Sequence, residues 1–395
     1  MTLTNTVTLE HRGRAKGDGP ALDVAVVGAG QAGLAMAWHL RRHGLRFAVF
    51  DAASQLGQAW RTRWDSLRLF TPARFDALPE MPFPAPAEHY PTKDEVADYL
   101  HDYAAAFDLP IHLDHRVLRL SPDPDGYRLQ TTRGVVRARQ VVVATGPFQT
   151  PHLPEIGAGL ARGLTQLHSS AYRNPAQLPA GPVLVVGDGN SGRQIAAELA
   201  ATRRVDLATS GTATVLPQRL LGRDQFWWLT HLGLLTATAD SPLGRRIRAR
   251  GELVIGTTDR NLRDAGVTLR PRLVAANGAT ARFADGSTLA LDTVIWATGY
   301  RPDHAWIDVP QVLDGDRIVH DHGLTAAPGL YVLGQPWQRS RGSALLGFVA
   351  RDAADLAHHI AEATTRRNHR CDTGHAPRRL DPAPVLAATS PRSTR

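Results

Sequence analysis

The 395-residue chain contains one cysteine, Cys371, so it can form neither an internal disulfide nor a CxxC redox pair. His369 and His375 flank that cysteine, but three groups so close together lack the spacing of a structural zinc site, and no metal is expected. No uninterrupted run of apolar residues is long enough to span a bilayer. The nearest candidate, residues 21–38, is broken by Asp23, Gln31 and glycines, and its first half is β-branched. The first twenty residues lack the apolar stretch of a secretory signal, which points to a cytoplasmic protein. Nor is the net charge of +8 a nucleic-acid footprint. Residues 363–395 carry +5 and residues 1–20 carry +1, leaving only +2 for the body between two basic tails. Charged residues at 21% and hydrophobic residues at 43% describe an ordinary globular chain, long enough for two cores.

Two stretches have the same pattern. VAVVGAGQAGLAMAWHL (24–40) and VLVVGDGNSGRQIAAEL (183–199) each predict a buried strand, a glycine turn and a helix. In the first, Gly28, Gly30 and Gly33 have the G-x-G-x-x-G spacing, and Gln31 opens the helix. The first glycine permits the tight turn, the second lets a pyrophosphate approach the backbone, and the third lets helix and strand pack closely. Free N–H groups at the helix start then face the phosphates. The following strand, RFAVF, ends in Asp51, 23 residues beyond Gly28, where an acid can hold ribose hydroxyls.

The second stretch repeats the cradle with Gly187, Gly189 and Gly192 around Asn190 and Ser191. Its counterpart of Asp51 is Ser210, preceded by Thr209. Hydroxyls there can hydrogen-bond a 2′-phosphate that an acid would repel, and Arg203, Arg204, Arg219 and Arg223 are candidate charge partners. The first cradle thus suits FAD or NAD, the second NADP. Ser210 also reads as a plain strand-end residue. Two dinucleotides held face to face let a nicotinamide pass a hydride to a flavin.

The fold expected is α/β: two Rossmann-like dinucleotide-binding domains, the NADPH domain inserted into the FAD domain. Two ATG turns mark the crossings, one with Thr145 and Gly146 and one with Thr298 and Gly299. Residues 1–21 form a disordered tail, 22–150 with 291–363 the FAD domain, 151–290 the NADPH domain, and 364–395 a disordered basic tail. A helix is expected over 343–363. FWWL (226–229) reads equally as core packing or as a substrate wall.

WRTRWDSLRLFTP (60–72), LPEMPFP (78–84), YPTKDEVADYL (90–100), the ATG turns and GDGNSG (187–192) together resemble the flavin-containing monooxygenases. The likeness is to their bacterial members, which are also similar to plant indole-3-pyruvate monooxygenases, and it spans about residues 22–362. The resemblance implies FAD in the first cradle and NADPH in the second. It implies a C4a-(hydro)peroxyflavin, shielded by bound NADP, that gives one oxygen atom from O2 to a small organic molecule. It places Trp60 and Arg61 beside the flavin and aims the N–H groups of Gly342 and Ser343 at the flavin's pyrimidine edge. Two departures stand out. The fingerprint F-x-G-x-x-x-H-x-x-x-Y/W keeps His168 and Tyr172 but has Arg162 and Leu164 at its first two positions. Phe70 aligns with an asparagine that in relatives lies near the reactive flavin. His168 reads equally as a loop histidine that braces the domain crossing. Three functions stay open: a monooxygenase, a reductase passing electrons to a quinone or other acceptor, and a non-catalytic NADP-binding regulator. The reading includes no nucleic acid and no membrane partner, and oligomeric state is not legible.

Overall fold

The computed structural model describes residues 21–251 and 253–372. The expectations for residues 1–20 and 373–395 lie outside the described residues.

Leu22–Val27 is apolar but for Asp23 and rich in valine, Phe47–Phe50 is wholly apolar, and every residue of the second is buried. They pair in parallel, Val24 opposite Phe47 through Val27 opposite Phe50. The sheet runs Ile111–His112, Phe47–Phe50, Leu22–Val27, Gly134–Val143, Gly126–Thr131, Val117–Asp123. Its last three strands form an antiparallel meander. Gly134–Val143 also takes Leu330–Val332 in parallel against its second half, so the end of the chain closes the first domain. The helix Gln31–Arg42 packs its buried face, including Leu34, Met36 and Leu40, on this sheet. The segment 21–38 is therefore strand, turn and helix, and among the described residues no helix is long and apolar enough to cross a membrane.

The second sheet is all parallel: Thr268–Arg270, Val205–Ala208, Val183–Val186, Thr293–Trp296, Thr165–His168. It lies in sequence between the two parts of the first sheet, which makes it an insertion. The expected return at residue 291 falls too early. Thr293–Trp296 is fully buried and pairs residue for residue with Val183–Val186, so the chain leaves the second domain only at the following ATG turn.

The C-terminal helix differs from expectation at both ends. Arg341–Ala344 is a separate 3-10 turn, and the helix is Val349–Asp372. Gly347 explains the break: a Cβ there would overlap the Phe75 carbonyl, so the chain must pass that backbone closely before helix can start. The helix continues past residue 363 because Thr364 is buried. Its Oγ1 accepts from Gln140 Nε2 (2.8 Å), and Gln140 Oε1 accepts from the Tyr331 hydroxyl (2.8 Å).

Candidate active site

The two cradles have almost the same backbone geometry. Gly28 and Gly187 adopt φ of +107° and +108°, a region that favours glycine. A Cβ on Gly33 would overlap the Gly28 carbonyl, and one on Gly192 would overlap that of Gly187. Beneath each turn lies one ATG segment: the Ala144 carbonyl abuts Gly28, and the Ala297 carbonyl abuts Gly187. Gly30, by contrast, faces open space, with no atom of the described residues within 4 Å of where a Cβ would stand. That is the room a pyrophosphate needs, and Gly30 and Gly189 leave their helix starts without a side-chain cap. The residues present fit a dinucleotide in each cradle.

The cradles differ where the ribose would lie. Asp51 Oδ2 accepts from Ala29 N (2.6 Å) and its Oδ1 from Ala53 N (2.8 Å), so the acid ties the strand end to the glycine loop. In the second cradle the tie is reversed. Asp188, inside the loop, accepts through Oδ1 from Ser210 N (3.1 Å) and Ser210 Oγ (3.0 Å). Thr209 donates to the Arg270 carbonyl (3.2 Å). Arg203, Arg204, Arg219 and Arg223 point elsewhere: Arg203 donates to Pro179 and Pro175 carbonyls, Arg204 pairs with Asp206, Arg219 with Glu88, and Arg223 covers Trp227. An open cleft of about 770 Å³ beside Asp188 and Thr209 is lined instead by Arg193, Arg260, Arg263 and Arg270. Those four were not singled out in the sequence, because only folding gathers them from separate elements around one cleft.

Gln31 and Asn190 occupy equivalent first positions of the two helices. Gln31 Nε2 donates to the Ala344 carbonyl (3.4 Å), and Asn190 Oδ1 accepts from Ile255 N (3.1 Å). Ile255 and Leu345, the neighbour of Ala344, belong to one apolar cluster with Phe70, Phe75, Phe226, Leu229, Leu235 and Phe348. An aromatic wall thus lies between the two helix starts. Phe70 stacks on Phe226 at 5.8 Å and 13°, and Phe75 stacks on Phe348 at 6.3 Å and 20°. Of FWWL, Phe226 and Leu229 are in this wall, while Trp227 stacks on His231 and Trp228 donates to the Leu220 carbonyl.

Other expected residues take structural positions in this arrangement. His168 is buried; its Nδ1 accepts from Ser170 N (3.1 Å), which leaves Nε2 to donate to the Gly299 carbonyl (2.9 Å). Burial lowers its pKa, so the ring is held neutral and braces the second ATG turn. Thr298 Oγ1 donates to the His152 carbonyl (2.5 Å), and Gln149 Nε2 ties Thr145 Oγ1 (2.7 Å) to the Gly146 carbonyl (2.9 Å). Tyr172 is fully buried in the second domain and donates to Glu198 Oε2 (2.8 Å); burial raises its pKa. Trp60 packs against two cores, and Arg61 pairs with Asp98 (2.5 Å). Gly342 N donates to the carbonyl of Leu235 (3.2 Å) and to Ser340 Oγ (3.2 Å), while Ser343 Oγ accepts from Arg339 N (3.1 Å) and Ser340 N (3.0 Å). These bonds define the turn that carries both residues.

One group beneath the aromatic wall escaped the sequence reading. Asp76, 1% exposed, accepts from Thr71 Oγ1 (2.6 Å), and its Oδ2 has no hydrogen-bond partner among the described residues. Burial pushes its pKa up to about 7.

A family model described as pyridine nucleotide-disulphide oxidoreductase matches residues 25–217. An uncharacterized CzcO-like oxidoreductase of Geobacillus kaustophilus is 44% identical over 341 residues, 86% of this chain and 98% of that one. An indole-3-pyruvate monooxygenase of Oryza sativa subsp. japonica is 29% identical, with 87% of each chain covered. A solved flavin-containing monooxygenase from Stenotrophomonas maltophilia superposes with a TM-score of 0.73 at 29% identity, covering 87% of this chain and 99% of that one. The chain belongs to the flavin-containing monooxygenase family. This family member is a flavin-dependent oxidoreductase whose cofactors are FAD and NADP. With Cys371 as its only cysteine, it has no dithiol with which to reduce disulfides directly.

Proposed function

We propose that the protein is an NADPH- and O2-dependent monooxygenase that transfers one oxygen atom to a small organic substrate. FAD occupies the first cradle through Gly28, Gly30, Gly33 and Asp51, and NADPH the second through Gly187, Gly189, Asn190, Ser191 and Gly192. The supporting observation is the aromatic wall between the two helix starts, reached by Gln31 from one and by Asn190's contact with Ile255 from the other. When bound, the flavin accepts a hydride from the nicotinamide and activates O2. The chain's own part is to bind, orient and exclude water. Phe70, Phe75, Phe226 and Phe348 make the space between the cradles dry, which protects an oxygen-transfer site from hydrolysis and proton leakage. His168, neutral and bonded to Gly299, positions the crossing that sets one domain against the other.

The reductase reading draws on one observation: Phe70 stacks on Phe226 and offers no side-chain hydrogen bond to a reactive intermediate. The test follows NADPH oxidation and peroxide release together, across amines, thioethers, ketones and 2-oxo acids. Oxygenation is expected to lower peroxide release with at least one class and to yield its oxygenated product. Full peroxide release with every class would favour the reductase.

A further inference from the structure

We infer that Asp188 is a specificity-determining residue that limits this protein's preference for NADPH, so that the second cradle also accepts NADH. The inference rests on the reading that this cradle holds a nicotinamide dinucleotide.

The two cradles align residue for residue: Gly28 with Gly187, Ala29 with Asp188, and Asp51 with Ser210. In each, a carboxylate joins loop to strand end. The first hangs it from the strand, where Asp51 takes the Ala29 N–H (2.6 Å). The second hangs it from the loop, where Asp188 takes the Ser210 N–H (3.1 Å) and hydroxyl (3.0 Å). Losing the acid at position 210 has therefore not removed negative charge from the ribose edge. Nor is the Ser210 hydroxyl free to donate to a phosphate, since its proton goes to Asp188 while its oxygen accepts from Thr212 N (3.3 Å).

The cation paired with Asp188 is shared with a second carboxylate. Arg193, almost fully buried, approaches Asp188 Oδ2 (3.9 Å) but makes its shorter pair with Asp259 (2.8 Å). Arg263 also pairs with Asp259 (3.7 Å), Arg260 with Asp264 (3.6 Å) and Arg270 with Asp206 (2.7 Å). Each arginine lining the cleft thus has a carboxylate partner. A 2′-phosphate entering beside Asp188 meets a like charge, whereas a 2′-hydroxyl can donate to it.

The test is titration calorimetry of FAD-loaded protein with 2′,5′-ADP and with 5′-ADP, probes that differ at the 2′ position and need no turnover. Asp188→Asn keeps an acceptor for Ser210 while removing the charge. It is expected to raise the affinity for 2′,5′-ADP relative to 5′-ADP by roughly tenfold. Asp188→Ser provides a second uncharged variant with a smaller side chain and the same expected direction. If both probes bind and neither variant changes their ratio, Asp188 does not set specificity. If the yellow wild-type protein binds neither probe, the assignment of the second cradle falls, and the inference with it.

Discussion

The two cradles share a backbone and differ in their charge. Their glycine loops adopt φ values of +107° and +108°, and each third glycine lies against the carbonyl of its own first glycine. Their ribose edges are tied by acids on opposite sides of the loop, Asp51 from the strand and Asp188 from the turn. The turn is dictated by sterics, which allow almost no variation where helix meets strand. The ligand's identity is set by side chains that can exchange places while the backbone stays fixed.

The hardest way to break that likeness is Gly33→Ala beside Gly192→Ala. Each added methyl meets a backbone carbonyl that cannot move alone, at an expected cost of about 3 kcal/mol or more. Gly33→Ala should lose flavin and Tm together, whereas Gly192→Ala should remain yellow but resist reduction by NADPH under anaerobic conditions. Equal flavin loss from both would end the division of labour between the cradles.

Gly30→Val separates folding from binding. Its side chain enters open space, so the unfolding stability of the apoprotein should differ from that of flavin-stripped wild type by less than about 1 kcal/mol, while the variant purifies colourless. A folded, fully yellow variant would overturn the first assignment.

Asp76 sharpens the comparison at the wall shared by both cradles. Its folded pKa of about 7 lies above the ordinary carboxyl value, so the folded state holds a proton that the unfolded chain releases at lower pH. Its favourable contribution is therefore complete below about pH 4 and is lost as pH rises through about 7. Asp76→Asn should accordingly gain on the order of 4 kcal/mol over wild type at about pH 8 and little at about pH 4, read by denaturant unfolding at both. A pH-independent difference would show that the carboxyl titrates normally.

The smallest effects concern the C-terminal helix Val349–Asp372, whose buried residues Val349, Ala353, Leu356, Ala357 and Ile360 pack in the core of the first domain. Truncation after Ala363 removes Thr364 and its bond to Gln140, with an expected loss of about 1 kcal/mol in thermal unfolding. Truncation after Asp372 should leave stability and flavin content unchanged. Matching behaviour of the two truncations would show that Thr364 contributes nothing.

What the sequence by itself determined is local: two strand–turn–helix cradles, their glycine spacing and Asp51 at its strand end. The cradles follow from backbone sterics and hydrophobic period, which act within about thirty residues. The antiparallel meander over 117–143 was not legible, because its alternation shows only once partner strands supply a buried face. The position of Phe70 against Phe226 depended on two segments far apart in the chain meeting between the domains. Asp188 stood in the quoted motif at a position any side chain can fill. Only the folded contact with Ser210 gave it a role, because a carboxylate's effect on a ligand depends on where it points and which cations are already paired.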